Sequence, residues 1–155
     1  MEKTDLLSRL NWFYTLELNQ IDLYMAQSRN FIGSYESIVF ERTACIEQEH
    51  AENIAAQIRK LGEAPTKLGD MLSPILGRVA GSILSISGVE NTLKTDILIE
   101  QKAISDYTDL INTIGDDYGA ELKKILQHNL VDEDTHTAWF SMRLADYDNF
   151  VLAEP

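Results

Sequence analysis

Two short acid-and-imidazole patterns constrain what this chain can fold into. Glu47-Gln48-Glu49-His50 stands in the first third of the sequence, and Glu133-Asp134-Thr135-His136 lies near its end. Each falls within a long stretch of helical periodicity. Each is also preceded, one helix earlier, by a lone glutamate on an apolar stripe, Glu17 and Glu100. Positions i and i+3 of a helix share a face, so a Glu-x-x-His aims a carboxylate and an imidazole at one point. A single such motif in an acidic chain reads as a solvated helical face. Two copies on apolar stripes do not, because a charge placed there is costly unless it is paired or bound to metal. No Lys or Arg recurs on these stripes to neutralise four glutamates. Four carboxylates and two imidazoles on four helices are the ligand set of a dinuclear metal centre inside a bundle.

Apolar periodicity predicts those four helices. The first covers residues 4–31, with Leu6, Leu10, Phe13, Ile21 and Tyr24 inward around Glu17. The second covers 35–61, with Phe40, Thr43, Glu47, His50, Ile54 and Ile58 inward. The third covers 88–114, with Leu93, Ile97, Glu100, Ile104, Tyr107 and Ile111 inward. The fourth covers 117–149, with Leu122, Leu126, Leu130, Glu133, His136, Phe140 and Leu144 inward. Gly33 and Gly62 stop helices one and two, and Ser34 caps the second. Gly115 ends the third helix, and Asp116-Asp117 caps the fourth. Short links predict an antiparallel pair at each end of the chain. Pro65 opens a long crossover, about 63–87, rich in small and apolar residues. The expectation is one all-α domain over residues 1–155, two helical hairpins joined by a crossover, which is the ferritin-like topology.

Composition removes several function classes. The net charge is -12, with 25 acidic and 13 basic residues, which argues against nucleic-acid binding and against tight binding to anionic lipid. One cysteine, Cys45, permits no intrachain disulfide and fits a cytoplasmic location. No signal-peptide core follows the N-terminus, and no apolar run is long enough to span a membrane.

The arrangement expected is Glu17 and His50 on one metal, Glu100 and His136 on the other, with Glu47 and Glu133 bridging. Carboxylates with imidazole suit two iron ions, with manganese as the alternative. Asp132, just before Glu133, is placed to reach His50 across the bundle and fix its tautomer. The equivalent residue before Glu47 is Ile46, which cannot do so, leaving His136 to find Asp96 or a backbone group. Tyr24 and Tyr107 each lie seven residues after a lone glutamate, on the same face. They are core tyrosines with satisfied hydroxyls, or else partners of ligand carboxylates and electron relays. Trp12 and Trp139 read as packing residues, His128, Glu49 and Glu52 as solvated, and Cys45 as a small buried hydrophobe.

These residues resemble the ferritin-like di-iron carboxylate superfamily over almost the whole chain, with all six ligand positions filled. Within it, the sequence most resembles the demethoxyubiquinone hydroxylase family. It shares Pro65-Thr66 opening the crossover, the spaced Gly77, Gly81 and Gly88, and Tyr107 seven residues after Glu100. It also has no appended Cys-x-x-C module. That resemblance implies a monooxygenase whose two irons activate O2 and hydroxylate a quinone-like aromatic substrate at a membrane surface. The groups expected nearest the chemistry are Glu47, Glu133 and Tyr107, with electrons from a separate donor. The alternatives are ferritin or bacterioferritin-like iron oxidation and storage in a homo-oligomer, a rubrerythrin-like peroxidase, and a non-enzymatic metal-binding bundle. For bacterioferritin, Gln48 stands where a haem-ligating methionine would.

Overall fold

A computed structural model describes residues 1–69, 88–115 and 118–151, with side chains described as far as residue 147. Within them the chain forms four helices: α1 (Lys3–Asn30), α2 (Tyr35–Lys60), α3 (Val89–Thr113) and α4 (Ala120–Val151). There is no strand among the described residues. The boundaries follow local chemistry. Ser34 accepts a hydrogen bond from the Ser37 amide and caps α2. At the other end Gly62, with φ 86, lets its N–H reach the Arg59 carbonyl while Glu63 N–H reaches Ile58. This is the paired closure that a left-handed glycine allows at a helix C-terminus. Helix α4 starts later than the sequence suggests, at Ala120, and Asp116-Asp117 lies outside the described residues. So does most of the crossover, including Gly77 and Gly81.

The packing partners give the topology. α1 lies along α2, and α3 along α4. Between hairpins, Arg9 pairs with Asp109, Trp12 with Asp106 and Gln27 with Asp96, so α1 and α3 run antiparallel. Arg143 with Glu36 and Lys60 with Glu121 set α2 and α4 antiparallel in the same way. α2 and α3 therefore point in the same direction. The chain must travel back along the bundle between them, roughly 39 Å for a helix of this length, which is why a long crossover is required.

Two apolar clusters fill the bundle. The larger contains Leu6, Leu10, Phe13, Leu16, Ile54, Ile58, Ile99, Leu110 and Leu126. The smaller contains Tyr24, Phe40, Ala44, Leu93 and Phe140. The six acid and imidazole residues lie between them at mid-height. Several flanking positions expected inward are only half-buried: Ile21, Ile97, Ile104, Leu130 and Leu144. The central lines of α3 and α4 instead carry Asp96, Ile99, Ala103 and Asn129. Cys45 is exposed, not buried as expected, because it lies two residues, about 200°, around the helix from Glu47. No described helix is long and apolar enough to cross a membrane.

The glycine at the end of α2 gives a direct test of this construction. A Cβ at Gly62 would meet nothing within 4 Å, yet the backbone is at φ +86. Gly62→Ala should therefore lower stability by about 1 kcal/mol through backbone strain alone. The shift would be read from urea-denaturation midpoints at unchanged slope.

Candidate metal centre

The six candidate ligands come from four helices, Glu17 from α1, Glu47 and His50 from α2, Glu100 from α3, and Glu133 and His136 from α4, and the bundle brings all six together. Glu17, Glu47, Glu100 and Glu133 are fully buried, and His50 and His136 are nearly so. Their donor atoms form two overlapping groups, Glu17–Glu47–His50–Glu133 and Glu47–Glu100–Glu133–His136. Within each group all donors lie within 4.8 Å of one another. Glu47 and Glu133 belong to both groups, as the doubled sequence pattern suggests.

The atoms approach at ion-pair distances. His50 Nδ1 lies 2.9 Å from Glu47 Oε2 and 3.2 Å from Glu133 Oε1, and His136 Nδ1 lies 3.1 Å from Glu47 Oε1. Yet both oxygens of Glu47 and of Glu133, and both Nδ1 atoms, lack a hydrogen bond of good geometry among the described residues. Their donor atoms crowd into two shared groups without meeting hydrogen-bond geometry. Unsatisfied buried groups are expensive, and cations at the points of convergence would satisfy all of them, so the residues fit a dimetal centre.

The outer carboxylates are braced crosswise. Tyr107 on α3 donates its hydroxyl to Oε1 of Glu17 on α1, while Tyr24 on α1 donates to Oε1 of Glu100 on α3. Oε2 of each glutamate is left free for the centre. Tyr107 in turn accepts from Asn129 Nδ2 at 3.0 Å, and Gln20 Nε2 approaches Glu100 Oε1 at 3.4 Å. Sequence reading missed Asn129, Gln20 and Gln27. A usable signal was their spacing, since Asn129 is one turn before Glu133 and Gln20 one turn after Glu17 on otherwise apolar stripes.

The two imidazoles differ. Nε2 of His50 lies 3.2 Å from Oδ2 of Asp132. Nε2 of His136 has no hydrogen-bond partner among the described residues. Asp96, the partner expected for it, is buried but is engaged by Gln27 Nε2 at 2.7 Å. Trp12 donates to Asp106 under the Lys102 ammonium, Trp139 stacks at an edge on Phe140, and His128 is exposed.

Residues 7–150 match the ferritin-like domain family. The chain belongs to the ferritin-like domain family. No curated protein matches the sequence. Among solved structures, a dodecameric thioferritin, the bacterioferritin-related protein of Bacteroides fragilis, superposes with a TM-score of 0.81 at 23% identity. The match covers 99% of this chain and 92% of that one. At that identity the likeness is one of fold. The carboxylate and imidazole cluster at mid-bundle is where a ferritin-like domain holds iron, and its composition here suits iron binding.

Without metal, protons hold the cluster together. Burial, reinforced by the charge of Glu47, pushes Glu17 and Glu133 well above the usual carboxylate range. Burial opposes ionisation of Glu47 too, but the two imidazoles beside it bring it down to about 2. Burial also disfavours charge on the imidazoles, yet the facing carboxylates raise His50 from 6.5 to about 9 and His136 to about 10. A raised folded pKa gives stability that is complete below the unfolded pKa and lost as pH climbs through the folded one. Metal-free protein should therefore melt at progressively lower temperature from pH 6.5 to pH 10. Metal-loaded protein should show a much flatter profile, since cations replace the protons. Calorimetric melting curves of both forms across that range provide the check.

Proposed function

We propose that the six side chains hold two iron ions and that the protein couples oxidation of ferrous iron to reduction of O2 or peroxide. The observation that carries this reading is the set of buried, unpartnered donors converging on two points and sharing Glu47 and Glu133. Glu17 and His50 would complete one position, and Glu100 and His136 the other. Hard carboxylates with one imidazole per metal suit iron, with manganese next. Bound iron would supply a coordination site for the oxidant and one electron per ferrous ion.

The chain's own groups do the rest. Tyr107 and Tyr24 fix the outer oxygens of Glu17 and Glu100. Asp132 holds the His50 ring with its proton on Nε2, leaving Nδ1 for the metal. The apolar clusters above and below keep bulk water out. Protons on Glu17, Glu133, His50 and His136 leave as cations arrive, which keeps the core near neutrality at each stage. Two ferrous ions and two protons reduce one peroxide to water, and four of each reduce one O2. Storage of the product requires a hollow assembly. The dodecameric neighbour of the same fold makes a homo-oligomer a natural form for this chain.

One observation favours a second reading, O2-dependent hydroxylation of a quinone-like aromatic. An apolar cavity of about 330 Å3 lies between α2 and α4 and reaches His136. That reaction would draw its electrons from a separate donor.

Protein produced with iron should carry close to two metals per chain on the ligand count above, and Glu47→Ala or Glu133→Ala should abolish loading. An equally stable protein that takes up no metal would refute the proposal. Ferrous oxidation should be accelerated by the loaded protein. The ratio of iron oxidised to O2 or peroxide consumed tells the oxidants apart, and light scattering tests the hollow oligomer. Separately, Asp132→Ala should weaken metal binding by roughly 10- to 100-fold in chelator competition.

A further inference from the structure

The two outer faces that join the hairpins differ in chemistry. On the α1–α3 side, charged residues pair within the chain, Arg9 with Asp109 and Lys102 with Asp106. The α2–α4 side carries apolar groups instead. Among the described residues, every strongly exposed large apolar side chain within a helix belongs to α2 or α4: Tyr35, Ile38, Val131 and Met142, at 61–66% exposure. Tyr35 and Ile38 stand at the rim of an apolar groove of about 330 Å3 whose walls include Ile46, Thr135 and Trp139. Val131 lies one helical turn before Thr135, and Met142 two turns after it, so both share its side of α4. Exposed apolar residues scattered singly need no explanation, but gathered on one face they mark an interaction surface.

Two charges on this face select the occupant. Arg42 lines the groove, and Glu49 follows it two turns later on the same line of α2. Both are exposed, and neither forms an ion pair among the described residues. An arginine and a glutamate on one helix line complement the same line running the other way. An antiparallel copy of α2, with a two-fold axis level with Cys45 and Ile46, sets each Arg42 opposite the partner's Glu49. That reciprocity is what a two-fold interface requires. Helix α4 fits the same axis. The contacts Glu36–Arg143 and His50–Asp132 put Cys45 and Ile46 level with Thr135. A two-fold at that height sets Thr135 against its own copy and each Val131 opposite the partner's Trp139. Short side chains, Cys45 and Thr135, then lie at the axis, which lets the helices approach closely. A face roughly 39 Å long and two helices wide covers about 800 Å2 per copy, the size of a standard stable interface.

The geometry points to the α2–α4 face as a two-fold interface with a second copy of this chain, packed antiparallel and centred on Cys45 and Thr135. This rests on the homo-oligomer reading above and not on the metal centre. A net charge of -12 opposes unspecific self-association. The reciprocal Arg42–Glu49 contacts therefore fix register and partner, while the apolar groups supply the affinity.

Analytical ultracentrifugation of the full chain tests the interface. Arg42→Glu alone and Glu49→Arg alone each set like charges opposite one another at both reciprocal contacts. Either should weaken association by roughly 100-fold and at least halve the mass of the assembly. Mixing the two single variants restores opposite charges at both contacts, so the mixture should recover the wild-type mass. The chain carrying both reversals should assemble on its own. Val131→Asp should weaken association from the α4 side. All three positions are exposed, so the variants should melt close to the wild-type temperature at matched assembly. A monomeric wild type overturns both this interface and the homo-oligomer. Single variants that keep the wild-type mass, or that fail to recombine when mixed, overturn the interface and leave the homo-oligomer standing. Iron content of the same samples reports separately on the metal centre, since Arg42, Glu49 and Val131 lie outside the ligand set.

Discussion

Four carboxylates meeting in a water-free core repel one another and lack solvent to screen them, and the whole bundle is arranged around that problem. Each buried ionised group carries a desolvation cost of several kcal/mol, and nothing in the described core supplies a lysine or arginine to offset it. The remaining solutions are protons or metal cations. The metal-free cluster uses the first, with raised affinities for protons on Glu17, Glu133, His50 and His136. The donors that meet without forming hydrogen bonds show that the geometry suits the second.

That constraint explains details that look unrelated. An unbraced glutamate could relieve repulsion by swinging away, so the two outer ones are tied by tyrosines from the opposite hairpin. The ties cross between α1 and α3, and so the same contacts that aim the carboxylates also hold the hairpins together. Phe13 stacks on Tyr107 with ring centroids 4.0 Å apart, fixing the tyrosine from the apolar side. Positioning of the site and cohesion of the core are here one set of interactions.

Much of this was legible from the chain because the strongest signals are spacings. Glu-x-x-His twice, each with its earlier glutamate, located the six clustered residues without a structure, and the apolar period gave the helices around them. Less legible were residues whose role depends on the relative rotation of helices. By hydropathy alone Ile97 and Ile104 suit an inward stripe better than Asp96 and Ala103, yet the latter pair is the buried one. A small rotation of α3, fixed by Glu100 facing the centre, decides between them. Cys45 was misplaced for the same reason, since an apolar side chain is assumed to be inside until the angle from Glu47 is counted. Tyr24 and Tyr107 were placed on the right face, but that each serves the other helix's glutamate follows only from the antiparallel pairing of α1 and α3.

The symmetry of the ligands conceals an inequality between the two halves. The Glu17–His50 side is closed: Asp132 holds the imidazole, Asn129 backs Tyr107, and the larger apolar cluster covers the end. The Glu100–His136 side is looser. Among the described residues it has an imidazole nitrogen without a hydrogen-bond partner, a buried Asp96 with one unbonded oxygen, and a cavity that His136 helps to line. A site meant only to hold two ions tightly would gain from closing both halves alike, and a single change at Ile46 would do much of it. Leaving one half open costs rigidity, and the natural return is access. If the centre binds two metals as proposed, the Glu17–His50 position would be the more firmly held of the two and the Glu100–His136 position the less constrained.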